Sequence, residues 1–245
     1  MNFCFYKHFT VRWCVIFLKT LYRKILYILL WYVVYPNFWL LLLAPDIFFK
    51  PENLLFLLTL VVSYILGIID TIIRPFSESI EEDWATNRLY SLIIVVLFLV
   101  NPVIVALSFY ESRLIINNYL SVVDTPLLAV PGILILVIGG YFTITGRYQL
   151  KQFGQGVLDV KKEQTLITTG IFRYIRHPIY AGGIIGVFGF YLAFRSLFIL
   201  IFMTIAYFVI FRHRLLFEED MMVESFGDEY KEYMKQTKRL FPFLY

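Results

Sequence analysis

Six apolar runs, each ending at polar or charged residues, limit what this 245-residue chain can fold into. They cover residues 25–44, 53–73, 89–110, 126–146, 179–194 and 197–211. The first four approach the roughly 20 residues that a helix needs to cross the hydrocarbon core. Backbone groups in lipid find no water, so a spanning segment must close its own hydrogen bonds, and a helix does so internally. The pattern predicts an all-α fold, a polytopic membrane helical bundle of about six crossings. Pro36 should bend the first helix. The last two runs are shorter, and Phe194-Arg195-Ser196 between them reads as a tight turn, so they form a helical hairpin.

Composition supports this class. Only 16% of residues are charged, where a soluble domain carries about a quarter. The 19% aromatic share suits interfacial belts. Residues 1–24 read as an amphipathic interfacial segment with Lys7, Arg12, Lys19 and Arg23 on its charged face. Lys19, Arg23 and Lys24 interrupt the apolar order that a signal peptide needs. Cys4 and Cys14 read as free structural thiols. His8, His177 and His213 have no metal-ligand spacing, so no metal is expected. Gly154-Gln155-Gly156 lacks the Gly-Lys-Ser/Thr that completes a phosphate loop. The net charge of +4 calls for no nucleic-acid partner.

The basic residues set an expected orientation. With six crossings and the N-terminus inside, 19 of the 22 Lys and Arg fall on the cytoplasmic side. Only Lys50, Arg113 and Arg195 fall outside, which is the asymmetry of the positive-inside rule.

Two polar clusters then lie on the same side. The first is Arg176-His177-Pro178-Ile179-Tyr180, at the start of the fifth run. The second holds Arg212, Arg214, Glu218 and Glu219, followed by Phe226-Gly227-Asp228-Glu229-Tyr230. Ionisable groups beside membrane-length segments are costly, so their default reading is functional. Pro178 suits the first position of a helix, which places His177 at its cap with unpaired N–H groups ahead. Gly182, Gly183, Gly186 and Gly189 follow. Close helix packing is the plainer reading of them; a cofactor lying against bare backbone is the alternative. Arg214 and Glu218, four apart on a helix, share one face. A surface salt bridge is the simple reading, and a place in a shared site is the functional one. His213 reads as an interfacial side chain.

The run Leu166-Ile167-Thr168-Thr169-Gly170-Ile171-Phe172-Arg173-Tyr174-Ile175-Arg176-His177-Pro178-Ile179-Tyr180-Ala181-Gly182 resembles the core motif of the isoprenylcysteine carboxyl methyltransferase family. The segment from Phe211-Arg212-His213-Arg214 through Glu218-Glu219 to Phe241-Pro242 is similar to that family's C-terminal part in order and spacing. The resemblance spans residues 126–245 and makes them a methyltransferase core; residues 25–125 look like variable transmembrane helices.

The resemblance implies an integral membrane methyltransferase using S-adenosyl-L-methionine in a cytoplasmic pocket under the last helices. By position, Gln164, Thr165, Leu166 and Ile167 would meet the cofactor through backbone. Phe172, His177, Pro178, Ile179 and Tyr180 would line the pocket, and Glu218 would hold a polar part of the cofactor. Arg214 would face the methyl acceptor, a lipid or prenylated molecule entering from the bilayer. Gln164 stands where the family commonly has histidine, and Phe172 where it commonly has tyrosine. A carboxylate acceptor is already nucleophilic, and Arg214 would orient it. An amine or thiol would need a base, and Glu219 is the nearest candidate. The acceptor stays open between a prenylcysteine, a phospholipid amine and a small hydrophobic thiol. A sterol-reductase-like NADPH enzyme shares a related Arg-His-Pro-x-Tyr helix, but its phosphate-bearing cofactor should want more basic side chains. A non-catalytic membrane scaffold of the same fold is the remaining alternative.

Overall fold

The computed structural model describes residues 21–50, 53–74, 88–119, 126–150 and 165–241. The expected amphipathic segment, apart from residues 21–24, and Gln164 lie outside them. Helix α1 spans Leu21–Leu43 and α2 is the short Asp46–Phe49. Then come α3 (Leu54–Ile73), α4 (Arg88–Tyr119) and α5 (Pro126–Leu150). A 3-10 turn, Gly170–Arg173, precedes α6 (Pro178–Ala193), α7 (Leu197–Phe226) and α8 (Asp228–Gln236). Among the described residues the fold is all-helical, with one isolated bridge between Ile175 and Lys238. Helices occupy all six expected places. Four of them, Leu21–Leu43, Leu54–Ile73, Leu127–Leu150 and Leu197–Phe226, are long and apolar enough to cross a membrane, whereas α6 is a shorter apolar helix.

Near Pro36 the first helix departs from regular α geometry. Residues Leu29–Val34 widen into π geometry just before the proline. Proline lacks the N–H that the Tyr32 carbonyl would accept from. The Asn37 side chain fills in, with Nδ2 donating to the Val33 carbonyl at 2.8 Å and to that of Tyr32 at 3.4 Å.

Backbone contact joins α5 to α6, and this decides the glycine question. A Cβ on Gly182 would collide with the Thr143 hydroxyl and the Gly139 carbonyl oxygen, and one on Gly189 with the Leu136 nitrogen. Close approach lets two helices gain dispersion contacts that lipid cannot outcompete. These two glycines therefore serve packing. The register also runs Gly146 against Pro178 and Ile179, bringing the end of α5 level with the start of α6.

The α6–α7 connection is the tight turn expected. Arg195 takes a φ of 58°, and its N–H donates to the Leu192 carbonyl at 2.9 Å. Its guanidinium sits 4.7 Å from the Phe56 ring centroid. Glu111 of α4 accepts from the Phe198 and Ile199 amides at 2.7 and 3.2 Å and from the Ser196 hydroxyl, capping α7. This end of the bundle closes on Leu40, Phe56, Phe109 and Phe194, all buried.

Helix α7 runs well beyond the apolar limit at residue 211. Its 30 residues make a rod of about 45 Å at 1.5 Å per residue, longer than a hydrocarbon core of about 30 Å. Arg214, Glu218 and Glu219 thus stand on a rigid extension of a membrane helix. Gly227, with φ of 58°, breaks the rod and starts α8.

Candidate active site

The residue before a proline is pushed to extended backbone. His177 avoids the helical region accordingly, with φ of −125° and ψ of 63°, and the chain entering α6 is free to pair outside the helix. The C-terminal segment after α8 takes that place. Arg176 N–H donates to the Lys238 carbonyl at 2.8 Å, and His177 N–H to that of Arg239 at 3.0 Å. The Tyr233 hydroxyl donates to the Phe172 carbonyl, tying α8 to the 3-10 turn. Burial pushes that phenol up to about 12, so it stays a donor near neutral pH.

Glu219 is the anchor beneath. It is buried, 3% exposed. Its Oε1 accepts from Arg176 Nε at 2.8 Å and lies 3.3 Å from His177 Nε2; its Oε2 accepts from Arg239 Nε at 2.9 Å. Arg176 also donates to the carbonyls of Met234 and Thr237. A buried carboxylate survives only when charge and hydrogen bonds compensate its lost hydration, and here Arg176, His177 and Arg239 from two chain segments supply them. Both oxygens accept from arginine, which is anchoring geometry.

Above this anchor, Tyr180 joins the two polar clusters. Its hydroxyl donates to Glu218 Oε2 at 2.7 Å and accepts from Arg214 Nε at 3.0 Å. Its ring stacks on His177, centroids 5.7 Å apart at 22°, and tilts against Phe211 at 5.2 Å. Glu218 remains about a third exposed on its side chain. So Arg214 and Glu218 meet through a third residue from the neighbouring helix, beyond the i,i+4 relation alone.

The other expected positions spread around this centre. Pro178 and Ile179 face Gly146 of α5. Phe172 is buried, with its ring in the interior. Thr165 is exposed, and Leu166 and Ile167 are half-buried. Leu166 lines a groove with Thr169, Arg173, Glu229 and Tyr233 between the 3-10 turn and α8. His213 is exposed, as an interfacial residue would be. No group of three or more His, Cys, Asp or Glu that could hold a metal occurs among the described residues.

Sequence reasoning placed Arg176 in the first polar cluster but gave it no role, and it passed over three other charged residues. Arg176 and Arg239 hold Glu219, and Asp70 of α3 pairs with Arg147 of α5. Asp70 and Arg147 did carry a signal, since each is a lone charge in or at the end of an apolar run.

Known proteins share both the sequence pattern and the fold. Residues 127–229 match the phospholipid methyltransferase family. A protein-S-isoprenylcysteine O-methyltransferase of Schizosaccharomyces pombe is 28% identical over 132 residues, covering 53% of this chain and 54% of that protein. One from Tribolium castaneum is 28% identical over 82 residues, 34% of this chain and 29% of its own. The chain is thus similar in sequence to isoprenylcysteine O-methyltransferases over part of its length. The chain matches about half the length of the yeast relative and less of the beetle one. A solved structure of the eukaryotic intramembrane Ras methyltransferase, isoprenylcysteine carboxyl methyltransferase, superposes with a TM-score of 0.63 at 17% identity, over 100% of this chain and 88% of that one. The apolar helices and the shared architecture are those of an integral membrane protein.

Proposed function

We propose that this protein transfers a methyl group from S-adenosyl-L-methionine to the carboxylate of a prenylcysteine. The observation that carries the reading is the Arg214–Tyr180–Glu218 chain, which joins the two family motifs through one hydroxyl. The cofactor's chemistry fits the residues present: the partly exposed carboxylate of Glu218 stands beside the stacked rings of Tyr180 and His177, with Phe211 tilted against Tyr180. Aromatic faces and a carboxylate suit a cationic ligand with polar ends. When bound, S-adenosylmethionine supplies a sulfonium methyl open to direct displacement.

Each side chain then has a task. Glu218 would hold the donor's polar portion, with Tyr180 fixing the carboxylate's orientation. Arg214 would orient the acceptor carboxylate, a role suited to its planar fork. Such an acceptor needs no base, consistent with Glu219 being held by two arginines. Direct displacement gains most of its rate from alignment, and the Glu219 anchor supplies rigidity. The backbone of residues 164–167 and the side chains of Phe172, Pro178 and Ile179 complete the proposed cofactor region, and residues 126–245 the catalytic core. A cytoplasmic face is favoured by the basic asymmetry, and lateral entry of a lipidic acceptor by the exposed apolar surfaces of α5 and α7.

The phospholipid methyltransferase match raises a second acceptor, a phospholipid amine. That reaction must shed a proton, and Glu219, the base proposed for it, is held by Arg176 and Arg239. Full-length protein incubated with labelled S-adenosylmethionine, S-farnesylcysteine and phospholipid vesicles separates the two. A base-labile methyl ester on farnesylcysteine is the expected product. Label only in the phospholipid fraction would replace the first reading by the second, and label in neither would refute both.

A further inference from the structure

The segment after α8 packs beneath the site, and one of its side chains completes the grip on Glu219. Lys238 and Arg239 lend their carbonyls to the Arg176 and His177 amides, and the Lys238 N–H donates back to the Tyr174 carbonyl at 3.4 Å. Leu240 is fully buried in a cluster with Ile175, Ala181 and Leu215. Backbone pairing and Leu240 thus seat this segment whatever side chain stands at 239. The Arg239 side chain is 30% exposed. Ion pairs that keep one partner in water add little stability, so the value of this arginine lies elsewhere.

What Arg239 fixes is the plane of a carboxylate. The terminal torsion of a glutamate is broad, so a carboxylate gripped at one oxygen can still turn about its last bond. Glu219 is gripped at both, by Arg176 Nε on Oε1 at 2.8 Å and by Arg239 Nε on Oε2 at 2.9 Å. Held so, Oε1 stays 3.3 Å from His177 Nε2. The other ring nitrogen of His177, Nδ1, lies 3.9 Å from Glu218 Oε2, and the ring stacks on Tyr180. We propose that Arg239 is a positioning residue: by fixing the Glu219 carboxylate it sets the His177 ring, and through that ring Tyr180 and Glu218. Each link from Arg239 to Glu218 is a direct contact of side chains. The inference rests on the donor reading given for His177 and Glu218. It brings into the donor site a residue that lies outside both polar clusters.

The test uses full-length protein in detergent. Its readouts are affinity for S-adenosylhomocysteine, thermal midpoint, and the ring resonances of isotope-labelled histidine, with His177→Ala assigning the His177 signal. Arg239→Ala should weaken S-adenosylhomocysteine binding about fivefold. It should shift the His177 ring resonances even without ligand, while the thermal midpoint falls by no more than about 4 °C. Arg239→Lys returns a cation to Oε2 and should bring affinity back to within about twofold of wild type. Arg239→Ala combined with His177→Ala should bind no more weakly than His177→Ala alone, because the two residues act in one chain. Additive losses in that pair would overturn the proposal, and so would unchanged affinity in Arg239→Ala. If Arg239→Ala does not fold, Arg239→Lys and Arg239→Gln decide. Equal losses of affinity and midpoint in those two would make the residue a brace and refute the assignment. Wild-type protein that fails to bind S-adenosylhomocysteine would refute the donor reading, and this inference with it. A His177 ring unmoved by Arg239→Ala would refute this inference alone.

Discussion

Arg176 and Glu219, 43 residues apart in sequence, meet in the interior at 2.8 Å. One lies just before α6 and the other near the end of α7. Through this pair the helical hairpin is closed at its open end, while Arg239 brings the C-terminal segment onto the same carboxylate. Tyr180 and Glu218, the residues proposed to face the donor, lie next to this closure, so their spacing depends on it.

Removing Glu219 should therefore unfold before it merely disables. Glu219→Ala leaves Arg176 buried without its carboxylate, a loss of about 3–5 kcal/mol. Thermal unfolding in detergent should show a marked fall. Arg176→Ala should cost a similar amount, and the double variant much less than their sum. Additive losses would show that the two do not act as a pair.

Tyr180→Phe removes one hydroxyl and leaves the stacked ring. A hydrogen bond to a charged group is worth about 1.5–3 kcal/mol, so S-adenosylhomocysteine affinity should fall about tenfold or more. His177→Ala and Glu218→Ala should also weaken it. Calorimetry reads this directly, and unchanged binding in all three would place the donor elsewhere.

Arg214→Lys separates the two substrates. Lysine keeps the charge and loses the planar fork. Turnover on farnesylcysteine should drop about a hundredfold if that fork orients the carboxylate, with S-adenosylhomocysteine binding within about twofold of wild type. Normal turnover would remove Arg214 from the acceptor side.

Gly182→Ala tests the backbone contact between α5 and α6. The added methyl meets the Gly139 carbonyl and the Thr143 hydroxyl, and overpacking of this kind costs about 1–3 kcal/mol. Gly183→Ala should cost less, because its methyl meets only the Phe211 ring, which can turn aside. Thermal midpoints of the two variants should rank in that order.

Orientation is open to labelling. Lys235 on α8 is 73% exposed on its side chain. A cysteine there should react with a membrane-impermeant maleimide only after cells are permeabilised. Labelling of intact cells would invert the proposed topology.

The sequence by itself determined the elements. Apolar run length set where helices form, because lipid leaves the backbone no other partner. Pro36, Pro178 and the Phe194-Arg195-Ser196 turn set local geometry, since each acts through backbone rules a few residues wide. The two polar clusters were also legible, as charges at the ends of apolar runs. What only the tertiary structure decided was who pairs with whom. Nothing in the spacing of Glu218 and Glu219 says that one reaches Tyr180 while its neighbour turns inward to Arg176 and Arg239. On a helix, adjacent residues point about 100° apart, so their roles diverge once partners surround them. The pairing of Asp70 with Arg147 likewise depends on how α3 packs on α5, and apolar faces alone do not fix that register. Helices follow from local chemistry; the site follows from long-range contacts that the chain makes only when folded.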